Sequence, residues 1–522
     1  MKASTLRTFQ IVHTWTGLMA GFTLFIAFYA GALTVFHDDI AAWQTPPWRG
    51  APDAAVPVGD LIDKLVAQHP DARADFGIVL PRSQGQAPYA FWVSDGQSRF
   101  ATVGELAQPH LEGNPNDLAD FVYALHDSLG FPVVGLYFMG IVSVLYGLAL
   151  VSGVILHLPQ LVKDLFALRV GKNIKRLWQD AHNAIGVLSL PFHIIFAITG
   201  AVFCLFTVTM LALNVTAFNG KLFDAFAEAT RTEPTVQASG IVAKMLSYDE
   251  LVAHAQSIAK TRGAANFEPD YVHFTHYGDR NAVAMVRGLS DRALDTYGYI
   301  ALNAGTGEPL MASVGNGRDG NSIVYAAMYT LHFGNFGGRA VQWLYFLLGL
   351  AGAFLFYSGN LLWIESRRKR RHQDQPLKTR VMARATVGVC IGSCLAISGT
   401  FGATIIASYL DIEAQWPQRA ACYGLFLAAC AYACVRPVAR ATVELLMGTG
   451  VLTLAVALAD LLRNASAWMQ PWTPQTIAVL GVDLVGIALA IAFFAFARAS
   501  SRRAREGDAN SVWTSQARTG LP

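Results

Sequence analysis

The sequence predicts a polytopic α-helical membrane protein: a duplicated four-helix core with two extracytoplasmic α+β modules, followed by a block of four more helices. Three observations lead there. Apolar residues make up 53% of the 522 and charged residues 14%, a balance that suits a bilayer better than water. Eight apolar stretches, roughly 9–36, 132–158, 183–213, 339–364, 385–410, 419–436, 441–462 and 474–497, are long enough to cross a hydrocarbon layer. Two histidine-bearing patterns are each written twice, and repeats outrank other signals.

The first pattern reads VHTWTGLMAGFTLFIAFYAGALTVF, with His13, Gly17 and Gly31, and returns as AHNAIGVLSLPFHIIFAITGAVFCL, with His182, Gly186 and Gly200. Glycine follows histidine at +4 and +18 both times. The second begins LHDSLGF, with His126 followed by Ser152 and Gly153, and returns as LHFGNFG, with His332 followed by Ser358 and Gly359. The Ser-Gly pair falls at +26 and +27 in each. Ungapped agreement in the same order implies duplication of a unit made of helix, outer segment and helix.

The resulting division is a first helix (1–37), a first outer module (38–131), two helices with an inner loop (132–213), a second outer module (214–338), a fourth helix (339–365), a basic linker (366–384), four additional helices (385–498) and a tail (499–522). Basic residues set the orientation. Lys2 and Arg7 precede the first helix, KDLFALRVGKNIKR joins the second to the third, RRKRR spans 367–371, and Arg436, Arg440 and RRAR at 502–505 mark the later inner ends. By the positive-inside rule both termini are cytoplasmic and both modules lie outside. No small-residue cleavage site follows the first helix, so it reads as a retained anchor. The net charge of +3 comes from these inner runs and suggests no nucleic-acid partner.

In the first outer segment Pro46, Pro47, Pro52 and Pro57 give an extended lead-in, VGDLIDKLVAQ sets Leu61, Ile62, Leu65 and Val66 on one helical face, and DFGIVL, PYAFWVS and SRFATVG read as strands. The second repeats the plan with helix YDELVAHAQSIAK and strands DYVHFTHY, NAVAMVR and TYGYIAL, ending in a turn, NAGTGEPL. Each segment is expected to form its own small antiparallel sheet. The six cysteines all sit in apolar helices, as packing residues rather than a disulfide framework. There is no CxxCH, which argues against covalent haem.

A histidine opening a membrane helix, an external helix-plus-sheet segment, LH before the next helix and SG near its end together resemble the PepSY-associated transmembrane family. Its better-understood members are similar to ferric-siderophore reductases of the bacterial inner membrane, with b-type haem in a four-helix core. The resemblance covers about residues 1–365 and rests on the histidine spacing. It implies a membrane-bound oxidoreductase acting on a ferric siderophore or other ferric chelate.

The chemistry agrees with that expectation. Haem used for electron transfer needs two axial ligands that persist through the redox cycle, and helix-borne imidazoles supply them. His13 and His182 sit at inner helix starts and His126 and His332 before helices entering from outside, so each layer offers one imidazole per copy and two haems are expected. The repeated glycines permit close helix contact or leave room for a flat macrocycle. From His13 to the outer end of its helix is about 36 Å at 1.5 Å per residue, a long gap between the layers. His193, one face and about 16 Å beyond His182, partly fills it, although Leu24 stands at that place in the other copy. His37 and His157, at helix ends, form a second tier of ligands. His69, His110, His254, His273, His276 and His372 read as surface residues.

The last four helices contain no histidine, and their unusual members are Glu444, Asp460 and the mid-span Asp483, expected to hydrogen-bond a neighbouring helix or serve a proton path. No phosphate loop, dinucleotide fingerprint or hydrolase nucleophile motif is found, so electrons must come from quinol or a separate reductase. Two other readings stand beside the reductase. One is a haem-free, membrane-tethered PepSY binding, sensing or protease-regulating protein; the other is a transporter, which the parallel rather than inverted repeat disfavours.

Overall fold

Backbone in hydrocarbon must satisfy its own polar groups, so the long apolar runs fold as helices. A computed structural model describes residues 3–46, 56–80, 87–110, 117–158, 174–290, 294, 297–318, 320–369, 372 and 374–514. Pro47, Pro52 and most of the basic loop after the second span lie outside them. Eight described helices are long and apolar enough to span a membrane.

In chain order the elements are α1 (Ala3–Thr34), α2 (His37–Gln44), α3 (Val58–Gln68), β1 (Asp75–Val79), β2 (Tyr89–Ser94), β3 (Gln97–Ala101), α4 (Asp117–Asp127), α5 (Val134–His157), α6 (Ile174–Leu188), α7 (Leu190–Thr216), α8 (Leu222–Ala229) and α9 (Tyr248–Thr261). They continue as β4 (Glu268–Thr275), β5 (Val283–Leu289), β6 (Tyr297–Asn303), β7 (Pro309–Ser313), α10 (Gly320–Phe333), α11 (Gly338–Ser366), α12 (Leu377–Ala385), α13 (Gly392–Leu410), α14 (Gln415–Val435), α15 (Val438–Arg463) and α16 (Pro474–Glu506). A π-turn, Thr386–Ile391, links α12 to α13. Two compact units result: Met1–Gln44 with Asp117–Phe206 and Trp343–Pro522, and Thr45–Asn116 with Thr207–Gln342.

The helical unit takes in more than the expected spans. Residues 37–44 and 117–130, assigned by sequence to the first outer module, pack here as α2, α4 and the turn after it. That turn reverses the chain between α4 and α5 using positive φ at Leu129, Gly130 and Val133. Gly135 is obligatory beside it, because a Cβ there would lie 1.9 Å from the Ser128 carbonyl oxygen. On α11, Gly352 yields its side-chain space to the Phe28 ring, 2.3 Å from where a Cβ would sit.

The C-terminal helices brace this arrangement. The Trp43 indole donates to Asp483 at 2.9 Å, and its ring packs on Phe401. Tyr423 donates to the Leu129 carbonyl at 3.2 Å and lies against Phe121 and Phe131. Arg503 pairs with Glu365 at 2.6 Å. Each intramembrane acid thus has a donor: Asp460 accepts from Asn464, and Glu444 from Arg436 and Tyr432.

The expected strands form at the expected places but build one sheet instead of two, in the order β3-β2-β1-β4-β5-β6-β7. All pairings are antiparallel, and β1 meets β4 in the register Asp75↔Thr275 through Val79↔Tyr271. Joining them removes two exposed edges. It also fuses two half-cores: Leu61, Leu65, Phe76 and Trp92 from the first segment pack with Leu251, Phe274, Ile300 and Leu302 from the second. The NAGTGEPL turn ends at Glu308, where β7 begins as an edge strand.

His273 clasps the seam, contacting Asp75 at 3.2 Å and Glu233 at 3.0 Å. Burial lowers its proton affinity, but the two carboxylates more than reverse this and bring its pKa to about 9. A raised pKa stabilises the fold fully below pH 6.5 and ceases to do so as pH passes about 9. His273→Gln is expected to destabilise the sheet by about 1 kcal/mol at pH 6, a difference that vanishes near pH 10; hydrogen exchange of β1 and β4 amides in the full protein measures it. Trp43→Phe removes a donor from a buried carboxylate and should cost about 2 kcal/mol, with Asp483→Leu added to it recovering part of the loss; thermal unfolding in detergent decides.

Candidate functional site: a histidine-lined cavity in the helical unit

Within the helical unit a cavity of about 550 Å³ is walled by residues of α1, α5, α6, α7 and α11. His13 and His182 face each other across it, ring centroids 6.3 Å apart and planes 77° apart. The His13 Nδ1 lies 2.8 Å from the Ala149 carbonyl oxygen of α5. The His182 Nδ1 lies 3.1 Å from the Leu355 carbonyl oxygen of α11 and 3.2 Å from the Ser358 hydroxyl. Ala149 and Leu355 occupy the same repeat position, three residues before the Ser-Gly pair. Neither Nε2 has a hydrogen-bond partner among the described residues.

The repeated small residues explain how imidazole reaches helix backbone. A Cβ at Gly153 would lie 3.0 Å from the His13 ring, and one at Gly359 would lie 3.4 Å from the His182 ring. Ser152 and Ser358 turn their hydroxyls onto the same carbonyls, Ala149 and Leu355, at 3.0 and 2.8 Å. Gly17 and Gly186, one turn beyond each histidine, line the cavity, and nothing lies within 4 Å of a Cβ built at Gly17. The two repeat patterns therefore meet in space, each histidine of the first seated on the Ser-Gly of the second.

His126 occupies the other end of α1. Its Nδ1 lies 2.8 Å from the Ala27 carbonyl oxygen, and its ring takes the side-chain space of Gly31, 2.6 Å from a Cβ there. Measured along α1, that places it about 21–27 Å from His13, nearer than the 36 Å expected, because α4 folds back beside α1. His332 stands near the end of α10 in the sheet-bearing unit, next to Phe333.

The second-tier histidines divide. His157 lines the cavity. His37 does not; its Nε2 is 2.8 Å from Asp120 and its Nδ1 3.3 Å from Asp38. Burial opposes its protonation, but the two carboxylates raise its pKa to about 9. His193 is fully buried, with Tyr146 at 2.6 Å on Nδ1 and Ser189 at 2.9 Å on Nε2. Both of its nitrogens are engaged by hydroxyl groups.

Around His193 the rings of Tyr146, Phe192, Phe196 and Phe356 surround Phe28, at 5.2–6.3 Å between centroids. Tyr146 and Phe356 also line the cavity, while Phe28 is the chain neighbour of Ala27, the acceptor for His126. The cluster thus fills the interval between the two histidine levels. Sequence reasoning missed its convergence because single aromatic residues in a membrane helix look alike. It also missed Asn360, a buried side chain in the cavity wall.

A family model described as PepSY-associated TM region matches residues 10–366. An uncharacterized protein of Pseudomonas aeruginosa is 25% identical over 382 residues, covering 70% of this chain and 90% of its own length. The matched region holds every histidine of both repeated patterns and ends where α11 ends, and the chain belongs to the PepSY-associated TM region family.

Proposed function

We propose that this protein is a haem-containing reductase of the bacterial inner membrane, moving electrons across the bilayer to a ferric siderophore or other ferric chelate on the periplasmic side. The observation that carries the reading is the His13–His182 pair, 6.3 Å between ring centroids. Two imidazole nitrogens, each about 2 Å from a shared metal, put the ring centres about 6 Å apart. Among the described residues no group of three or more His, Cys, Asp or Glu could hold a bare metal ion. Two histidines suffice only where the ligand brings its own equatorial donors, as a macrocycle does, and the glycine-lined cavity has a cofactor's size.

Bound haem b supplies a one-electron couple. The protein's part is to fix the ligands: an Nδ1–H donated to carbonyl fixes the tautomer and presents the Nε2 lone pair. On the strength of the repeat alone, His126 and His332 are the ligands proposed for a second haem. The packed aromatic rings of the Phe28 cluster lie between the two proposed levels. Basic inner ends orient both termini to the cytoplasm, so quinol or a separate reductase is the donor and the sheet-bearing unit faces the acceptor.

The decisive test is the optical spectrum of purified, haem-supplied protein before and after dithionite. Low-spin b-type bands are expected; their absence from folded protein would sink the reductase and leave a haem-free binding or sensing role. With two haems present, His13→Ala and His182→Ala should each remove about half of the haem, the same half, while His126→Ala removes the other. Equal loss of both haems from any one of these would show the pairing to be wrong.

A further inference from the structure

A symmetric ligand pair does not decide which edge of a flat cofactor faces which way. The unsymmetrical residues of the cavity do. Asn360 and Trp363, at i and i+3 on one face of α11, line the cavity together with Arg367 of the turn that follows α11. Their counterparts by the repeat are Val154, His157 and Leu161. Lys175 on α6 lines the same cavity, where the repeat has Leu6.

These side chains leave donors unused. Asn360 is 1% exposed, and its Nδ2 has no hydrogen-bond partner among the described residues. Gly21 leaves the room it occupies, with the Asn360 Oδ1 3.7 Å from where a Cβ would sit. A buried amide donor left unpaired is costly unless a ligand completes it. The Arg367 guanidinium lies 4.2 Å over the Trp363 ring, which holds it against the cavity wall. Neither Arg367 nor Lys175 makes an ion pair among the described residues.

We propose that Lys175, Arg367 and the Asn360 amide form a carboxylate seat that receives the two acidic side arms of the cofactor held by His13 and His182 and so fixes its orientation. This rests on the haem reading above. The macrocycle of haem b carries two propionates on one edge and apolar substituents elsewhere, and the lysine and the arginine that line the cavity, Lys175 and Arg367, both belong to the second copy.

The test compares haem with its dimethyl ester, which keeps the macrocycle and lacks the carboxylates. Full-length protein, Lys175→Gln/Arg367→Gln and Asn360→Leu are loaded with each, and loss to a soluble haem-scavenging protein is timed. Both variants should retain the low-spin bands, showing an intact ligand pair, and release acidic haem at least tenfold faster than the unsubstituted protein. The ester should leave all three at one common rate, and Lys175→Arg should restore slow loss when introduced in place of Lys175→Gln. Equal loss of acidic haem from all three proteins, with the bands present, overturns the seat and spares the ligand pair. No bands from the unsubstituted protein overturns both.

Discussion

The helical unit depends on one interaction that both copies of the first pattern make and His126 repeats on Ala27, an imidazole Nδ1 against a carbonyl of a neighbouring helix. A helical carbonyl already accepts from the N–H four residues on, and its second lone pair is normally screened by side chains. Serine and glycine at the next turn remove that screen, so the ring can lie against the backbone. The contact orders the histidine more tightly than a side-chain partner would, because a helix carbonyl has no rotamers to lose. Everything else in the repeat serves that approach: glycine opposite the ring, glycine one turn beyond it, and serine on the same carbonyl.

The spacing of the repeat follows from the same contact. Along α1 the chain must present His13 to α5 at one level and offer Gly31 to His126 at another. Eighteen residues of helix separate those two points, and one inserted residue would rotate Gly31 by about 100° away from its histidine. The return leg carries the turn at Leu129 to Val133 and then a helix that must bring Ser152 and Gly153 back to His13. Neither leg tolerates a gap. In the first copy each motif is half of a contact whose other half lies on an antiparallel helix, His13 with Gly153 and Gly31 with His126; in the second copy His182 meets Gly359 in the same way, while Gly200 faces Ser143.

This is also why so much of the site was legible in the sequence and so much of the fold was not. Spans, strands, the four histidines and their glycines are visible because period and spacing are local. The Ala149 and Leu355 acceptors were encoded as well, at equal offsets from His126 and His332, but a carbonyl has no residue-type signature. The β1–β4 seam was hidden because either edge strand alternates equally well whether paired or solvated. Placement of α2 and α4 with the helices depended on Trp43 meeting Asp483, 440 residues apart in sequence, a contact no pattern announces. The pairing of His37 with Asp120, 83 residues away in sequence, was hidden in the same way.

Duplication explains the ligand pair, and departures from it explain what the pair alone cannot do. Two identical halves supply two imidazoles at one level but no direction, since each half sees the other across a pseudo-symmetric space. The second copy breaks the symmetry in or beside the cavity at Lys175 for Leu6, His193 for Leu24, Asn360 for Val154, Trp363 for His157 and Arg367 for Leu161. Lys175, His193, Asn360 and Arg367 put polar groups on the side of the second copy, and each buried one must be satisfied or must await a ligand. His193 is satisfied by Tyr146 and Ser189, which fixes the Tyr146 hydroxyl and with it one edge of the Phe28 cluster. The C-terminal helices anchor to α2, to the α4–α5 turn and to Glu365 of α11. A cofactor clamped between equal ligands therefore meets unequal surroundings.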